Sequence, residues 1–362
     1  MEVKMYSLEE LESHLQNSPS RPSGTQSMSP LRLASYLKNP RAESADVVLI
    51  EMREAGQLLA YRTLLPDHFI TRQGQKVRFA WLSGNWVHPH YRRKGWSTSL
   101  LQSLEKAWEG RLMYTNYAPA SKAVYDRSGS FREVFLREGK RYYLRAASEE
   151  LLGRRMGGSR FLRKMDGFTN RIREGKLERF RQDISPGCHI EPLDGFDEES
   201  RKYIYELQED SLFQRDAEVF NWAINYPWIT GKEAPSVDYH FSYLARRFEN
   251  RLLKFRQPDT GNLGLLWMVL HNHVLSTPYV FAEIGSLYPH MSAYILKTML
   301  DTGVSHATLR NQQLSDGLLS YKRQFLLIRN MPQRIYAHVK LADQIPLDKS
   351  LQDGDGDVMF TG

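Results

Sequence analysis

A chain of 362 residues, 41% hydrophobic and 12% aromatic, is long enough for two globular domains that each bury a core. Its single cysteine, Cys188, excludes an internal disulfide framework and a cysteine-rich metal site, and no apolar run reaches the roughly 20 residues that cross a bilayer. The net charge of +7 favours anionic ligands, and the opening M-E-V-K-M-Y lacks the charged start and apolar core of a secretion signal, so a cytoplasmic location is expected.

Residues 3–6 read as a short strand and 8–16 as a helix, with Ser7 and Glu10 at the spacing of a capping box. Residues 18–29, rich in Ser, Pro and Gly, read as a mobile loop, and 30–37 as a second short helix ended by Asn39-Pro40. Segments 46–52, 57–64 and 76–87 alternate or run apolar as strands, the first two joined by a tight turn at Ala55-Gly56. A helix over 97–108 places Leu100, Leu101, Leu104, Ala107 and Trp108 on one face. A strand at 111–116, a helix at 120–127 and a strand or hairpin at 132–145 complete the first half.

The stretch joining strand 76–87 to helix 97–108 reads V-H-P-H-Y-R-R-K-G-W-S-T-S-L-L from Val87 to Leu101. The first-turn amides of a helix lack intrahelical acceptors and carry the positive end of the helix dipole, so such a turn suits a pyrophosphate. Arg92, Arg93 and Lys94 supply counter-charge, Gly95 allows close approach, and Ser97 and Thr98 are small donors. A phosphate-bearing cofactor is the simplest reading.

Pro89, Arg92, Gly95 and Ser97 stand at the spacing V-x-P-x-x-R-x-x-G-x-[GA], and the chain thereby resembles the GNAT acetyltransferase superfamily, with Ser97 in place of the usual Gly or Ala. The element order of residues 1–147 is also similar to that family's. The resemblance implies acetyl-CoA as co-substrate, bound by the loop from Arg92, Arg93, Lys94 and Gly95 to Trp96, Ser97 and Thr98, with Asn116 at the end of a neighbouring strand. It implies pantetheine contacts and an oxyanion donor from the backbone of Asn85, Trp86 and Val87. Tyr125 matches the family's thiolate-protonating tyrosine, although the Gly129 and Phe131 that follow carry one inserted residue. The base stays open: no glutamate occupies the strand, Ser83 and Asn85 could order a water, and His88 and His90 are imidazole candidates. Two histidines without a third ligand make no metal site, so no metal is expected. The loop and helices of 8–37 would lie over the acceptor.

Residues 148–187 read as a basic helical linker. Ten cations stand against four acids between Leu151 and Asp183, nearly the whole net charge, with Leu162, Met165, Phe168, Ile172 and Phe180 interspersed. A solvated helical face and a surface for nucleic acid, anionic lipid or a sugar phosphate are both open. Residues 188–342 repeat the first half's order, with strands expected at 188–193, 240–246, 263–271, 274–284, 306–310 and 334–340, but G-S-L-Y-P-H-M-S replaces the basic loop. This implies a degenerate GNAT-like domain that lines the acceptor cleft or stabilises the first. Residues 343–362 form a polar acidic tail whose D-G-D-G-D lacks the glycine and terminal glutamate of a calcium loop.

The expected fold class is α/β (α+β), two GNAT-like domains, each a mixed, mostly antiparallel twisted sheet flanked by helices. The expected function is direct acetyl transfer from acetyl-CoA to a primary amine of a small molecule or peptide, since no activated nucleophile is visible. An aminoacyl transferase of the FemABX type, using charged transfer RNA, and a non-catalytic acyl-CoA sensor are the alternatives.

Overall fold

The computed structural model describes residues 1–17, 25–115, 119–148, 160–234, 237–283, 285 and 287–360. These form two seven-stranded, mostly antiparallel sheets and ten α-helices. The first sheet runs β1 (Glu2–Ser7), β2 (Val47–Glu54), β3 (Gln57–Ile70), β4 (Lys76–Val87), β5 (Leu112–Tyr114), β14 (Gln333–His338), β6 (Phe131–Arg137). The second runs β8 (His189–Leu193), β9 (Phe248–Arg256), β10 (Leu263–His271), β11 (Val274–Ala282), β12 (His306–Leu309), β7 (Lys140–Tyr143), β13 (Leu327–Asn330). Helices α1 (Leu8–Asn17), α2 (Pro30–Leu37), α3 (Trp96–Ala107) and α4 (Pro119–Ser128) belong to the first half; α5 (Arg160–Asp183) follows, and α6 (Glu198–Leu207), α7 (Ala217–Asn225), α8 (Leu287–Thr302), α9 (Gln312–Leu319) and α10 (Val339–Ala342) to the second.

Local chemistry accounts for several boundaries. Ser7 N–H donates to Glu10 Oε2 at 3.0 Å while Glu10 N–H donates back to Ser7 Oγ at 3.2 Å, which starts α1. Ala55 and Gly56 both take positive φ, 47° and 80°, so the β2–β3 turn has the twist a hairpin prefers. Ser29 caps α2, with Pro30 in its first turn.

The sheets are not built from contiguous halves. β7 pairs with β12 and β13 of the second sheet, and β14 sits between β5 and β6 of the first. Each half therefore lends one strand to the other in the same position, between the fifth strand and the edge, and in both sheets the fourth and fifth strands are parallel. The strand or hairpin expected at 132–145 is thus two strands in different sheets. The strand expected at 240–246 is absent: the ladder begins at Phe248, and the preceding residues turn toward the first half, where Gln26 N–H donates to Asp238 O at 2.6 Å.

One core cluster spans both halves, with Phe79, Trp81, Phe213, Phe220, Trp267, Tyr279 and Phe360 buried together. Inside it lies an ionic network. Asp67 of β3 accepts from Arg41 at 2.6 Å, Arg215 at 2.8 Å and Trp81 Nε1 at 2.9 Å, and Arg215 also reaches Asp355 at 3.2 Å. Burial alone would raise the Asp67 carboxyl, but Arg215 and Arg41 hold it well below the usual carboxylate range. Asp355 belongs to the segment expected as a polar tail, and here the structure corrects the expectation. Asp353 and Asp355 are buried, the former against Arg137 at 2.8 Å, and Val358–Phe360 form a turn inside the core. A Cβ on Gly354 would fall 2.5 Å from the Tyr279 ring, so the alternating glycines let this acidic strap pass close to the aromatic core. Residues 361–362 lie outside the described residues.

Candidate active site

β3 and β4 fall out of register between Thr63/Gly84 and Leu64/Leu82, leaving Ser83 as the extra residue of a β-bulge. β4 pairs with β5 only at Ala80 and Trp81, so its Ser83–Val87 end has no β5 partner among the described residues. The open backbone at Asn85, Trp86 and Val87 leads directly into the basic loop.

That loop is shaped by two left-handed residues, Arg93 at φ 66° and Gly95 at φ 82°. Gly95 is the N-cap of α3 and no side chain caps the first turn. A Cβ at Gly95 would meet nothing within 4 Å, so within the protein glycine serves the positive φ rather than space. Arg92, Arg93 and Lys94 are exposed; Arg92 Nε donates to Val87 O at 3.3 Å, and the Lys94 ammonium lies 4.8 Å from the Tyr91 ring, itself stacked on Trp96. His88 Nδ1 accepts from His90 N–H, making the two histidines a turn cap. Among the described residues no group of three metal-ligating side chains occurs.

The structure brings Asn85, Ser97 and Tyr125 together through a residue the sequence reading missed, Arg62. This buried guanidinium donates to Ser97 Oγ at 2.9 Å and to the Tyr125 hydroxyl at 3.1 Å. Ser97 Oγ donates in turn to Asn85 Oδ1 at 3.1 Å, and Asn85 Nδ2 donates to Ser121 Oγ at 3.3 Å. The serine that departs from the family pattern therefore bridges Arg62 and Asn85. Tyr125 is 5% exposed and stacks on Tyr114, with ring centroids 4.1 Å apart. Because its oxygen accepts from Arg62, its own proton is left to donate elsewhere. Thr98 is half-buried on the first turn of α3, and Trp86 is buried against Tyr61 and His240. Asn116 lies outside the described residues, as do 18–24 of the expected lid and 149–159 of the linker.

The other side of the bulge holds a second set. Ser83 Oγ donates to Asp357 Oδ2 at 2.6 Å and accepts from Arg32 Nη2 at 2.7 Å; the same nitrogen reaches Thr63 Oγ1 at 2.8 Å. Arg32 lies 3.9 Å above the Trp228 ring and donates to Tyr239. Arg32, Ser83, Trp228, Tyr239, Phe241 and Asp357 line a cavity of about 100 Å³. Arg32 Nε and Trp228 Nε1 are buried without a hydrogen-bond partner among the described residues. Burial pushes the Asp357 carboxyl up, against the Ser83 hydrogen bond and the Arg32 charge. Burial, followed by the Arg92 charge, lowers His240. The second half thus contributes Trp228, Tyr239 and His240 to a site centred on β4.

Gly84 is fixed by the same bulge: a Cβ there would lie 2.4 Å from Thr63 Oγ1 and 3.5 Å from Arg32 Nη1. Gly84→Ala is expected to lower stability by about 1–3 kcal/mol, read as a lower denaturation midpoint with unchanged slope.

The fold is of the GNAT type, and within it β4 and β5 part beyond Trp81, a bulge sits at Ser83 and no side chain caps the first turn of α3. Residues 8–129 match the model of the acetyltransferase (GNAT) family, and the two sheets fit a double-GNAT arrangement. The fold is similar to that of a probable N-acyltransferase from Enterococcus faecalis V583, 11% identical over 94% of this chain and 73% of that one, with a TM-score of 0.51. It is also similar to N-myristoyltransferase of Saccharomyces cerevisiae with bound myristoyl-CoA, 11% identical over 93% and 82% of the two chains, with a TM-score of 0.50. No curated protein matches in sequence. The family match over residues 8–129, together with the fold, supports acyl-CoA-dependent acyl transfer.

Proposed function

We propose that the chain transfers an acetyl group from acetyl-CoA directly to a primary amine of a small molecule or peptide. One observation carries this reading: the bulged end of β4 has the Asp357 carboxyl on one side and the Tyr125 phenol, held through Arg62 and Ser97, on the other. Arg92, Arg93 and Lys94 with the amides from Gly95 to Thr98 and the Trp96 turn hold the pyrophosphate, and the backbone of Asn85, Trp86 and Val87 holds the pantetheine and the oxyanion. Asn116 takes the supporting cofactor role that the family resemblance gives it. Asp357, through the Ser83 hydroxyl or a water, accepts a proton from the acceptor ammonium. The amine then forms its bond to the thioester carbonyl, the C–S bond breaks, the leaving thiolate takes the Tyr125 proton, and the second proton released by the new amide nitrogen restores the phenol. Asn85 supports this step by fixing Ser97. Residues 1–147 carry the cofactor loop and Tyr125, the 148–187 linker joins the halves, 188–342 shape the acceptor side through Trp228, Tyr239 and His240, and the 343–362 segment supplies Asp357.

The pH dependence follows from Asp357. A base must be deprotonated, so kcat/KM is expected to rise with pH through a midpoint above the ordinary aspartate value of about 3.9 and then level off. Asp357→Asn should remove that limb. The test of the function is release of the free CoA thiol from acyl-CoAs of increasing chain length, offered with a panel of primary amines. Turnover that is amine-dependent and fastest with acetyl-CoA supports the proposal. Turnover only with long chains replaces the acetyl reading, and no turnover with any pair rejects transfer.

A further inference from the structure

We propose that α5 docks the protein on an anionic phospholipid bilayer. This 24-residue helix is held to the second half along one face, where Leu162 and Leu177 are buried, Arg145 pairs with Glu174 at 2.8 Å and Asn170 bonds both ways with Ala146. On the opposite face Met165, Phe168 and Ile172 are 47%, 69% and 67% exposed. At 3.6 residues per turn these three side chains fall within about 60° of one another, a continuous apolar stripe pointing away from the protein.

The charges beside the stripe are mostly cations, with the exposed Asp183 at its C-terminal end. Lys164 and Arg171 flank it on one side and Lys176 on the other, with Arg179 in line beyond; all four are exposed and make no ion pair among the described residues. Two of the helix's acids are engaged, Glu174 with Arg145 and Glu178 with Arg181 at 3.0 Å. Ile172, Lys176 and Arg179 line a shallow surface groove with Phe180 and Asp183, two cations against one acid. An apolar line bordered by exposed, mostly cationic side chains is complementary to a bilayer surface, where acyl chains meet the line and acidic headgroups the cations. A nucleic acid would be met by the cations but not by Met165 and Ile172, whose aliphatic side chains offer bases no stacking face.

The experiment is co-sedimentation of the full chain with vesicles of phosphatidylcholine alone and of phosphatidylcholine mixed with phosphatidylglycerol. Binding to the mixed vesicles only is expected, weakened by salt of about 1 M, where the Debye length is ~3 Å. Phe168→Glu/Ile172→Glu and Lys164→Glu/Arg171→Glu are each expected to weaken binding by about tenfold or more. Acetyl-CoA affinity and the unfolding transition should be unchanged in both variants, since neither touches β4 or its loop. The inference is overturned if the wild type ignores the mixed vesicles, or if the Phe168/Ile172 variant binds them as well as the wild type does. It is equally overturned if the stripe proves to be a self-association face, shown by a dimer in solution that the same variant dissolves.

Discussion

Tyr125→Phe is expected to lower kcat by about 10²–10⁴-fold, the range that a positioned acid contributes, while acetyl-CoA affinity stays close to wild type. The substitution removes one oxygen from a ring that remains stacked on Tyr114 and edge-on to Phe131, so packing is preserved. What is lost is the group that accepts from Arg62 and keeps a proton for the thiolate. A purely structural tyrosine would behave differently: its removal would lower the unfolding midpoint and leave kcat nearly intact. Single-turnover kinetics with a fixed amine separates the two, because the chemical step is read without product release. Arg62→Met should share part of the kcat loss, because Arg62 positions both Tyr125 and Ser97.

Asp67→Asn is expected to destabilise the fold by about 3–5 kcal/mol, because it leaves the buried Arg41 guanidinium without its carboxylate and Arg215 with Asp355 alone. The side chain keeps its shape, so the effect is electrostatic rather than a cavity. The sign with pH is fixed. The folded carboxyl titrates below its unfolded value of about 3.9, so its contribution is present above that pH and is lost as pH falls through the folded value. Wild type and variant should therefore converge only in strong acid. Asp355, which burial pushes up in spite of Arg215, works in the opposite sense and keeps the network from behaving as a simple sum. Urea midpoints across pH check both statements.

Much of the first sheet was legible because its signals are local. The 76–87 strand and the 30–37 helix fall where the pattern put them, and Ser7 with Glu10 and Ala55 with Gly56 make the expected cap and turn. The cation run and Gly95 marked the helix N-terminus correctly because a left-handed glycine before a helix is a backbone requirement. The exchange of β7 and β14 was not legible: K-R-Y-Y and Q-R-I-Y-A-H alternate as strands do, but alternation says nothing about which sheet a strand joins. The acidic strap was misread for a related reason. Asp353 and Asp355 look solvated until the arginines that meet them, Arg137 and Arg215, are brought from far away in the chain. Arg62 and Asp67 did leave a trace, since each is a charge inside the apolar run of β3 that only a buried partner could tolerate.

The most direct measurement is calorimetric titration of acetyl-CoA into the full chain and into its Arg92→Glu/Gly95→Glu variant. Micromolar binding by the wild type, lost by a variant that still unfolds cooperatively, is the result expected of an acyl-CoA site at the β4–α3 loop. Absence of binding to the folded wild type, or equal binding by the variant, would contradict it.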